Sequence, residues 1–362
     1  MDGRPDTDSV RLRRTGFDEL SGWADDDHAA ALAAFRRGAE VLTAHPPKTR
    51  ASGIDATALA EAIGRAAALP AATTRATARE FFEREFTPAL VDSAGFFTGY
   101  YEPEVAGSRT PGGGFNVPLY RAPDDLVEVE PGAVAGLDPS FRFARRTGAG
   151  LAEHPDRGAI MAGALDGRGL ELVYLRDPVD AFFIQVQGAA RIRLADGTLL
   201  RITYAAKTGH PYTSIGKVLI DAAALERGAV TMQTIRAWLA AHPDQASAVL
   251  AHNRSYVFFR EAPVGDETLG PIAAAKVPLS AGRSLAVDRT LHTFHAPVFI
   301  ETTLPDGAAF QRLMVAQDTG SAIVGAARGD IFFGSGDAAG EIAGAMQGRG
   351  RFFVLVPKGG AS

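Results

Sequence analysis

The sequence predicts a mainly β protein with helices gathered at its N-terminal end, and three observations predict it. Roughly the first ninety residues are alanine-rich, with apolar residues three and four apart as in an amphipathic helix. At GFFTGYYEPEVAGSRT, residues 95 to 110, aromatic and β-forming residues replace alanine. From Pro271 onward, short β-branched and aromatic runs alternate with glycine, the pattern of short buried strands joined by tight turns.

Taken in order, Asp25 to Leu42, Asp55 to Leu69 and Ala76 to Phe86 read as helices, with Asp25 and Asp55 as N-caps. A Pro/Gly-punctuated region follows the 95–110 strand segment and runs to about Gly169. Residues 171 to 209 read mostly as sheet, and within them RIRLADGTLLRITY is a hairpin turning at Asp196-Gly197. Helices return at Ser214 to Leu225 and Thr231 to Ala241, and SYVFFRE is another strand. LMVAQ, DIFFG and the closing RFFVLVP are short strands, with one helix from about Ala339 to Met346 before the last.

With 362 residues, 46% of them hydrophobic, the chain can bury a substantial core and divides into about two domains. The formal net charge is −5 and there is no Lys/Arg block, so nucleic acid and anionic lipid are poor partners. The absence of cysteine excludes disulfides, thiolate metal sites and a cysteine nucleophile. No apolar stretch is long enough to span a bilayer, and MDGRPDTDSVRLRR lacks the apolar centre of a secretory signal.

Common catalytic motifs do not fit. GHPYTSIGKV has six residues between its glycines and Val after Lys217, whereas a phosphate loop needs four and then Ser or Thr. His292 and His295 have no glutamate between them, and the flanking residues suggest a strand that would point them to opposite faces, so no metal is expected. No GxSxG elbow surrounds any serine. Arg328-Gly329-Asp330 matches an adhesion tripeptide, but three residues carry little information.

Asp318 and Asp330, in VAQDTGSAIVGAARGDIFFGSG, are the candidate acid/base pair, with Asp330 at a strand mouth. Capping of glycine turns is the alternative for both. The remaining polar and aromatic candidates are Thr98, Tyr100, Tyr101, Gln185, Gln187, Lys207, His210, Tyr212, Ser214 and Asp288.

The blocks GFFTGYYEPEV, DAFFIQVQGAARIRLADG, YAAKTGHPYTSIGKVL, SYVFFRE, PLSAGRSLAVDRTL and LMVAQDTGSAIVGAARGDIFFGSG occur in this order. In this the chain resembles the membrane-bound lytic murein transglycosylase A family, including its C-terminal domain named for three aspartates, here matching Asp288, Asp318 and Asp330. The resemblance implies a double-psi β-barrel domain with a second, inserted β-rich domain and a glycan groove between them. The division would be residues 1–103, 104–257 and 258–362, the first and last forming the barrel domain.

It also implies cleavage of the β-1,4 bond between N-acetylmuramic acid and N-acetylglucosamine in peptidoglycan, leaving a 1,6-anhydro ring. The muramyl O6 attacks its own C1, so one carboxyl can serve as acid and then as base, where ordinary glycosidases need two. Asp330 matches the catalytic aspartate of the family, with Asp318 as a neighbouring charge or a loop tether and Asp288 as a turn or substrate-positioning residue. Thr98, Gly99 and Tyr100 would line the groove, although strand aromatics are more often core. Gln185 and Gln187, two apart in a presumed strand, would face one way along a groove wall. Lys207 and His210 would contact glycan or stem peptide, or simply face solvent. No metal, nucleotide or other cofactor is expected, and the chain would act as a monomer on glycan strands, with other cell-wall enzymes as further partners. Its place would be the periplasm or the outer membrane, with the export signal or anchor lying outside this chain. An inverting hydrolase using both aspartates and a non-catalytic wall-binding module are the alternatives.

Overall fold

The computed structural model describes residues 10–359 apart from Ala133 and Ala135. The chain divides into two compact units, one made of Met1–Tyr101 with Asp266–Ser362 and the other of Glu102–Gly265. Among the described residues no helix is long and apolar enough to cross a membrane.

The first unit is built on an eight-stranded sheet. Its order is Leu12–Arg14, Phe86–Val91, Gln347–Pro357, Pro297–Thr303, Ala309–Asp318, Ser284–Val287, Arg328–Ser335 and Gly95–Glu102. The long strand Gln347–Pro357 turns back to pair with Gly95–Glu102 as well, Gln347 opposite Thr98. Six of the strands therefore pair in a closed ring. Closure leaves those strands with few unpaired backbone groups. These strands bury large apolar side chains in one core cluster, Phe97, Leu285, Phe299, Leu313, Ile331 and Phe352 among them.

Three N-terminal helices pack onto the same core. His28–Arg36 buries Ala31, Leu32, Ala34 and Phe35, Ala56–Ala67 buries Leu59, Ala62, Ile63 and Ala66, and Arg75–Glu85 buries Ala78, Phe81 and Phe82. The alanines let the helices approach closely while Phe35 meets Phe81, Phe82 and Phe86. Asp55 caps the second helix, as predicted, accepting from the Ala58 amide at 2.8 Å. The first helix begins later than the sequence suggested. Asp25 lies in a 3-10 turn, Trp23–Asp25, and the cap is Asp27, which accepts from the Ala30 amide. Between them Asp26 is drawn inward to a bidentate pair with Arg283, at 2.9 and 2.8 Å, and this tertiary bond fixes where the helix starts.

In the second unit, Val257–Ala262, Leu199–Lys207, Ala189–Arg193 and Glu104–Ala106 form a four-stranded sheet. The predicted hairpin is present, with Gly197 at φ 84° and Arg193 opposite Leu199. Smaller sheets pair Val117–Tyr120 with Glu171–Leu175, and Leu126–Glu128, Phe143–Thr147 and Gly150–Ala152 with one another.

DAFFIQVQ is not a strand but the body of a helix, Pro178–Gln187. Asp177 caps it, Pro178 opens it, and Gly188 closes it in the left-handed conformation at φ 82°. It reads as a continuous apolar run because it is buried on two sides: Ala181 and Ile184 join one cluster, Phe182 and Phe183 another. Ser214 and Thr231 cap the helices Ile215–Asp221 and Met232–Ala241, and a further helix, Pro243–Ala251, was not anticipated.

Candidate active site

The site in the first unit is organised around the short buried strand Ser284–Val287. Ala286 pairs in parallel with Asp318 on one side and antiparallel with Asp330 on the other. Directly opposed residues send their side chains to one face, so both carboxyls leave the sheet on the same side. A bulge makes this possible. Leu285 faces Ala316 but Ala286 faces Asp318, so Gln317 is the extra residue. Its side chain is fully buried, accepting from Ser284 Oγ at 2.6 Å and donating to the Ala34 carbonyl at 3.0 Å. Without the bulge, Ala286 would face Gln317 and Asp318 would point the other way.

Thr98 and Tyr100 lie two apart on Gly95–Glu102 and therefore share a face, while Phe97, next to Thr98, points the other way and is buried in the core. The Thr98 hydroxyl donates to Asp330 Oδ1. Tyr100 donates to Asp318 Oδ2 at 3.0 Å, and the Ala274 amide donates to Asp318 Oδ1 at 3.3 Å. The Tyr100 ring packs against Phe332, with centroids 5.3 Å apart. Asp330 lies within its strand, Arg328–Ser335, rather than at the strand's mouth.

Burial pushes the Asp330 carboxyl above the usual aspartate range, against the pull of the Arg328 charge and the Thr98 hydroxyl. Burial raises Asp318 too. The Thr319 and Ala274 amides and the Tyr100 hydroxyl oppose it, and the neighbouring Asp330 adds to it. Tyr100 is raised well above its ordinary value by burial and then by the two carboxylates, so it stays protonated and donates. Both carboxyls are biased toward their acid forms and each accepts from a neutral hydroxyl, so either can carry a proton to give.

Asp288 follows the same central strand, and both of its oxygens are engaged by the chain. Oδ1 accepts from the Thr290 amide and hydroxyl at 3.0 and 2.6 Å, and Oδ2 accepts from the Gly325 amide at 3.0 Å. It thereby tethers the loop between the two carboxylate strands. Gly99 has a packing reason: a Cβ there would lie 2.7 Å from the Phe333 ring and 2.8 Å from Ala343 Cα.

Gln185, Gln187, Lys207 and His210 belong to the second unit. Gln185 and Gln187 sit on a helix, not a strand, so two positions apart they do not share a face. Gln185 is buried and its Oε1 has no partner, while Gln187 is half-buried at the helix end. Lys207 ends a strand. His210 lies in a loop but does not face solvent: it is 1% exposed, with Nε2 2.7 Å from the His154 carbonyl and its ring edge against Phe141. His292 and His295 also depart from expectation, lying in a turn rather than a strand and both buried. Among the described residues no three histidine, aspartate or glutamate side chains form a set that could hold a metal ion.

Comparison with known proteins bears on this geometry. Residues 96–260 match the family model of the MltA specific insert domain, and residues 283–356 match that of the 3D domain. The chain is 46% identical to a membrane-bound lytic murein transglycosylase from Agrobacterium tumefaciens, whose crystal structure superposes with a TM-score of 0.89 over 96% of this chain and 98% of that one. It belongs to the membrane-bound lytic murein transglycosylase A family.

The Escherichia coli (strain K12) member of the MltA family is 34% identical over 274 residues, 73% of this chain. The match spans 66% of that relative's length. A crystal structure of E. coli MltA with bound chitohexaose is 27% identical, with a TM-score of 0.68 over 97% of this chain and 95% of that one. The 3D-domain match carries Asp288, Asp318 and Asp330, and the insert-domain match begins at the strand of Thr98 and Tyr100. Arg328 escaped the sequence reading, where it figured only in a tripeptide. The available signal was its place two residues before Asp330 on a strand, which puts both side chains on one face.

Proposed function

We propose that this chain is a lytic transglycosylase that cleaves the β-1,4 bond between N-acetylmuramic acid and N-acetylglucosamine in peptidoglycan and leaves a 1,6-anhydromuramyl end. The observation that carries the reading is Asp330, a part-buried carboxyl raised by burial and held at one oxygen by Thr98. Asp330 gives its proton to the glycosidic oxygen as the bond to the muramyl C1 breaks. The muramyl O6 closes on C1, and the Asp330 carboxylate takes the O6 proton, which restores the acid without consuming water.

Asp318 tunes that acid across Ala286, and Asp288 shapes the loop between them. Thr98, Gly99, Tyr100, Gln185, Gln187, Lys207 and His210 are proposed to contribute to glycan binding directly or through the backbone they support. The closed ring of six strands supports a double-psi β-barrel as the architecture of the first unit, with the second unit as the insert. A glycan-bound relative and relatives named as membrane-bound murein enzymes support peptidoglycan as substrate and the cell envelope as location.

Mass spectrometry of the products of digested peptidoglycan tests the reading. Anhydro ends are expected, one water lighter than the reducing ends that an inverting hydrolase would leave. Reducing ends alone would overturn the transglycosylase assignment, and intact glycan would overturn the enzymatic one.

A further inference from the structure

Arg328 has no part in the reaction as written above, yet its charge acts on the acid and it is built into the site. Its Nη2 donates to Thr98 Oγ1 at 2.6 Å, and Nη1 donates to the Gly329 carbonyl. The guanidinium lies over the Phe96 ring, 5.2 Å from its centroid. A ring face and a backbone carbonyl thus hold it beside Thr98.

Hydrogen-bond direction follows from the groups. A guanidinium can only donate, so Thr98 Oγ1 must accept from Arg328. The hydroxyl hydrogen is then free for one acceptor, and that acceptor is Asp330 Oδ1. If Oδ1 is occupied as an acceptor, the proton of the neutral acid resides on Oδ2.

We propose that Arg328 is a positioning residue that acts through Thr98, fixing the hydroxyl as a donor to Oδ1 and so placing the transferable proton of Asp330 on Oδ2. The proposal rests on Asp330 being the acid. When Asp330 loses its proton to the leaving oxygen, the same Thr98 hydrogen bond, backed by the Arg328 charge, holds the new carboxylate. When Oδ2 recovers a proton from O6, the starting arrangement returns. A rotating hydroxyl would lack this effect, because it could donate elsewhere and leave the proton shared between the two oxygens.

The charged and titratable groups around Asp330 are few. Arg328 lies on its own strand, Tyr100 faces it from Gly95–Glu102, and Asp318 faces it across Ser284–Val287, which has no titratable side chain. The helix Asp337–Ala345, which packs on the Asp330 strand, carries Asp337 and Glu341. Arg349 lies over the same Phe96 ring as Arg328. Of these, only Arg328 is joined to Asp330 through a shared hydroxyl.

The test is the pH dependence of anhydromuropeptide release by wild type, Arg328→Gln, Arg328→Lys, Thr98→Val, Thr98→Ser and the Arg328→Gln/Thr98→Val double variant. Arg328→Gln is expected to lower kcat roughly ten- to a hundredfold with KM little changed, as small misplacements of a reacting group do. It should also move the alkaline limb of the profile upward, since a positive charge that favours the carboxylate is gone. Arg328→Lys and Thr98→Ser should recover most of the activity. In the Thr98→Val background, Arg328→Gln should cost little more at the plateau, because the hydroxyl through which it acts is absent. A profile for Arg328→Gln that superimposes on wild type, or plateau losses that multiply in the double variant, would overturn the proposal. If Arg328→Gln does not fold, the Lys and Ser variants decide: a Thr98→Ser enzyme as slow as Thr98→Val counts against it. Wild type that releases no anhydro product marks instead a failure of the underlying functional reading.

Discussion

Asp318 and Asp330 are both register partners of Ala286, one through a parallel pairing and the other through an antiparallel one. Two strand spacings put their Cα atoms on the order of 10 Å apart, with both side chains on one face. At this separation the carboxyls sense each other without being forced to share a proton. Their partners differ in kind. Asp330 is held by a threonine hydroxyl whose own acceptor is filled by an arginine, and Asp318 by a tyrosine and backbone amides. One position suits a group that changes protonation, the other a group that sets the field around it.

Replacing Asp330 with Asn should abolish anhydromuropeptide release and raise stability at neutral pH. The folded-state pKa of Asp330 is raised, so the native state holds its proton more tightly than the unfolded chain does. That contribution is complete below the unfolded value and is lost as pH rises through the folded one. At pH 7 a buried carboxylate is a cost that the amide lacks. Thermal melts should show a higher Tm for Asp330→Asn at pH 7 and a difference that shrinks toward pH 4. An inactive variant that melts lower at both values would mean that the carboxylate holds the fold together.

Asp318→Asn should keep measurable activity and shift the pH profile. With the neighbouring negative charge removed, Asp330 ionises more readily, so the alkaline limb is expected to move to lower pH. Tyr100→Phe acts on Asp330 in the same sense but more weakly, since it deletes a hydrogen bond that pulls the Asp318 carboxyl down and so leaves less negative charge beside the acid. Rate profiles of the two variants over pH 4–9 give the check, and limbs that coincide with wild type in both would make Asp318 a tether for the Ala274 segment alone.

Much of this organisation was legible in the sequence, for identifiable reasons. The alanine-rich helices, the Asp196-Gly197 hairpin and the strands around Asp318 and Asp330 declare themselves by period and turn chemistry. Pro178–Gln187 did not, because a helix buried on two sides loses the polar face that marks its period. Its Asp-Pro start and Gly stop were present but outweighed by Phe, Ile and Val. The Gln317 bulge had no sequence signal, since only the pairing with Ser284 and Ala34 shows that the residue turns inward. Arg328 was hidden for a similar reason: its partner Thr98 lies 230 residues away.

Gly99 should tolerate no side chain. The Phe333 ring could shift to admit a methyl group, but the Ala343 backbone 2.8 Å away belongs to a packed helix. Overpacking of this kind costs about 1–3 kcal/mol. Gly99→Ala is expected to lower the unfolding free energy by that amount in urea titrations, and to reduce kcat because Thr98 and Tyr100 flank the displaced residue. A stability within experimental error of wild type would mean that the helix Asp337–Ala345 moves freely.

Acid should weaken the first unit through a histidine. His295 is buried, its Nδ1 has no partner, and burial pushes it down to about 4. Because the folded value lies below the unfolded one, stability is complete above about pH 6.5 and falls as the unfolded chain takes up the proton. The loss from this one group amounts to about 2 kcal/mol by pH 5. His295 also adopts a φ of 69°, a conformation that asparagine accepts. His295→Asn should therefore fold and show a flatter dependence of stability on pH between 7 and 5. Urea midpoints at the two pH values would settle the matter, with an unchanged slope pointing to other buried groups.

Glycan binding should survive loss of the acid. Proton transfer is realised in the transition state, whereas affinity for an unreacted strand comes from contacts along its length. The acid is neutral when it meets substrate, and Asn has nearly the same size and is neutral too. Asp330→Asn is therefore expected to bind chito-oligosaccharides in calorimetry with an affinity close to wild type. Tyr100→Ala should weaken binding, since it removes a part-buried aromatic surface beside both carboxyls. Gln187→Ala should weaken it as well if the half-buried end of its helix meets the strand. Equal affinities for Tyr100→Ala, Gln187→Ala and wild type would return both residues to purely structural roles and leave the acid's own surroundings as the whole of the site.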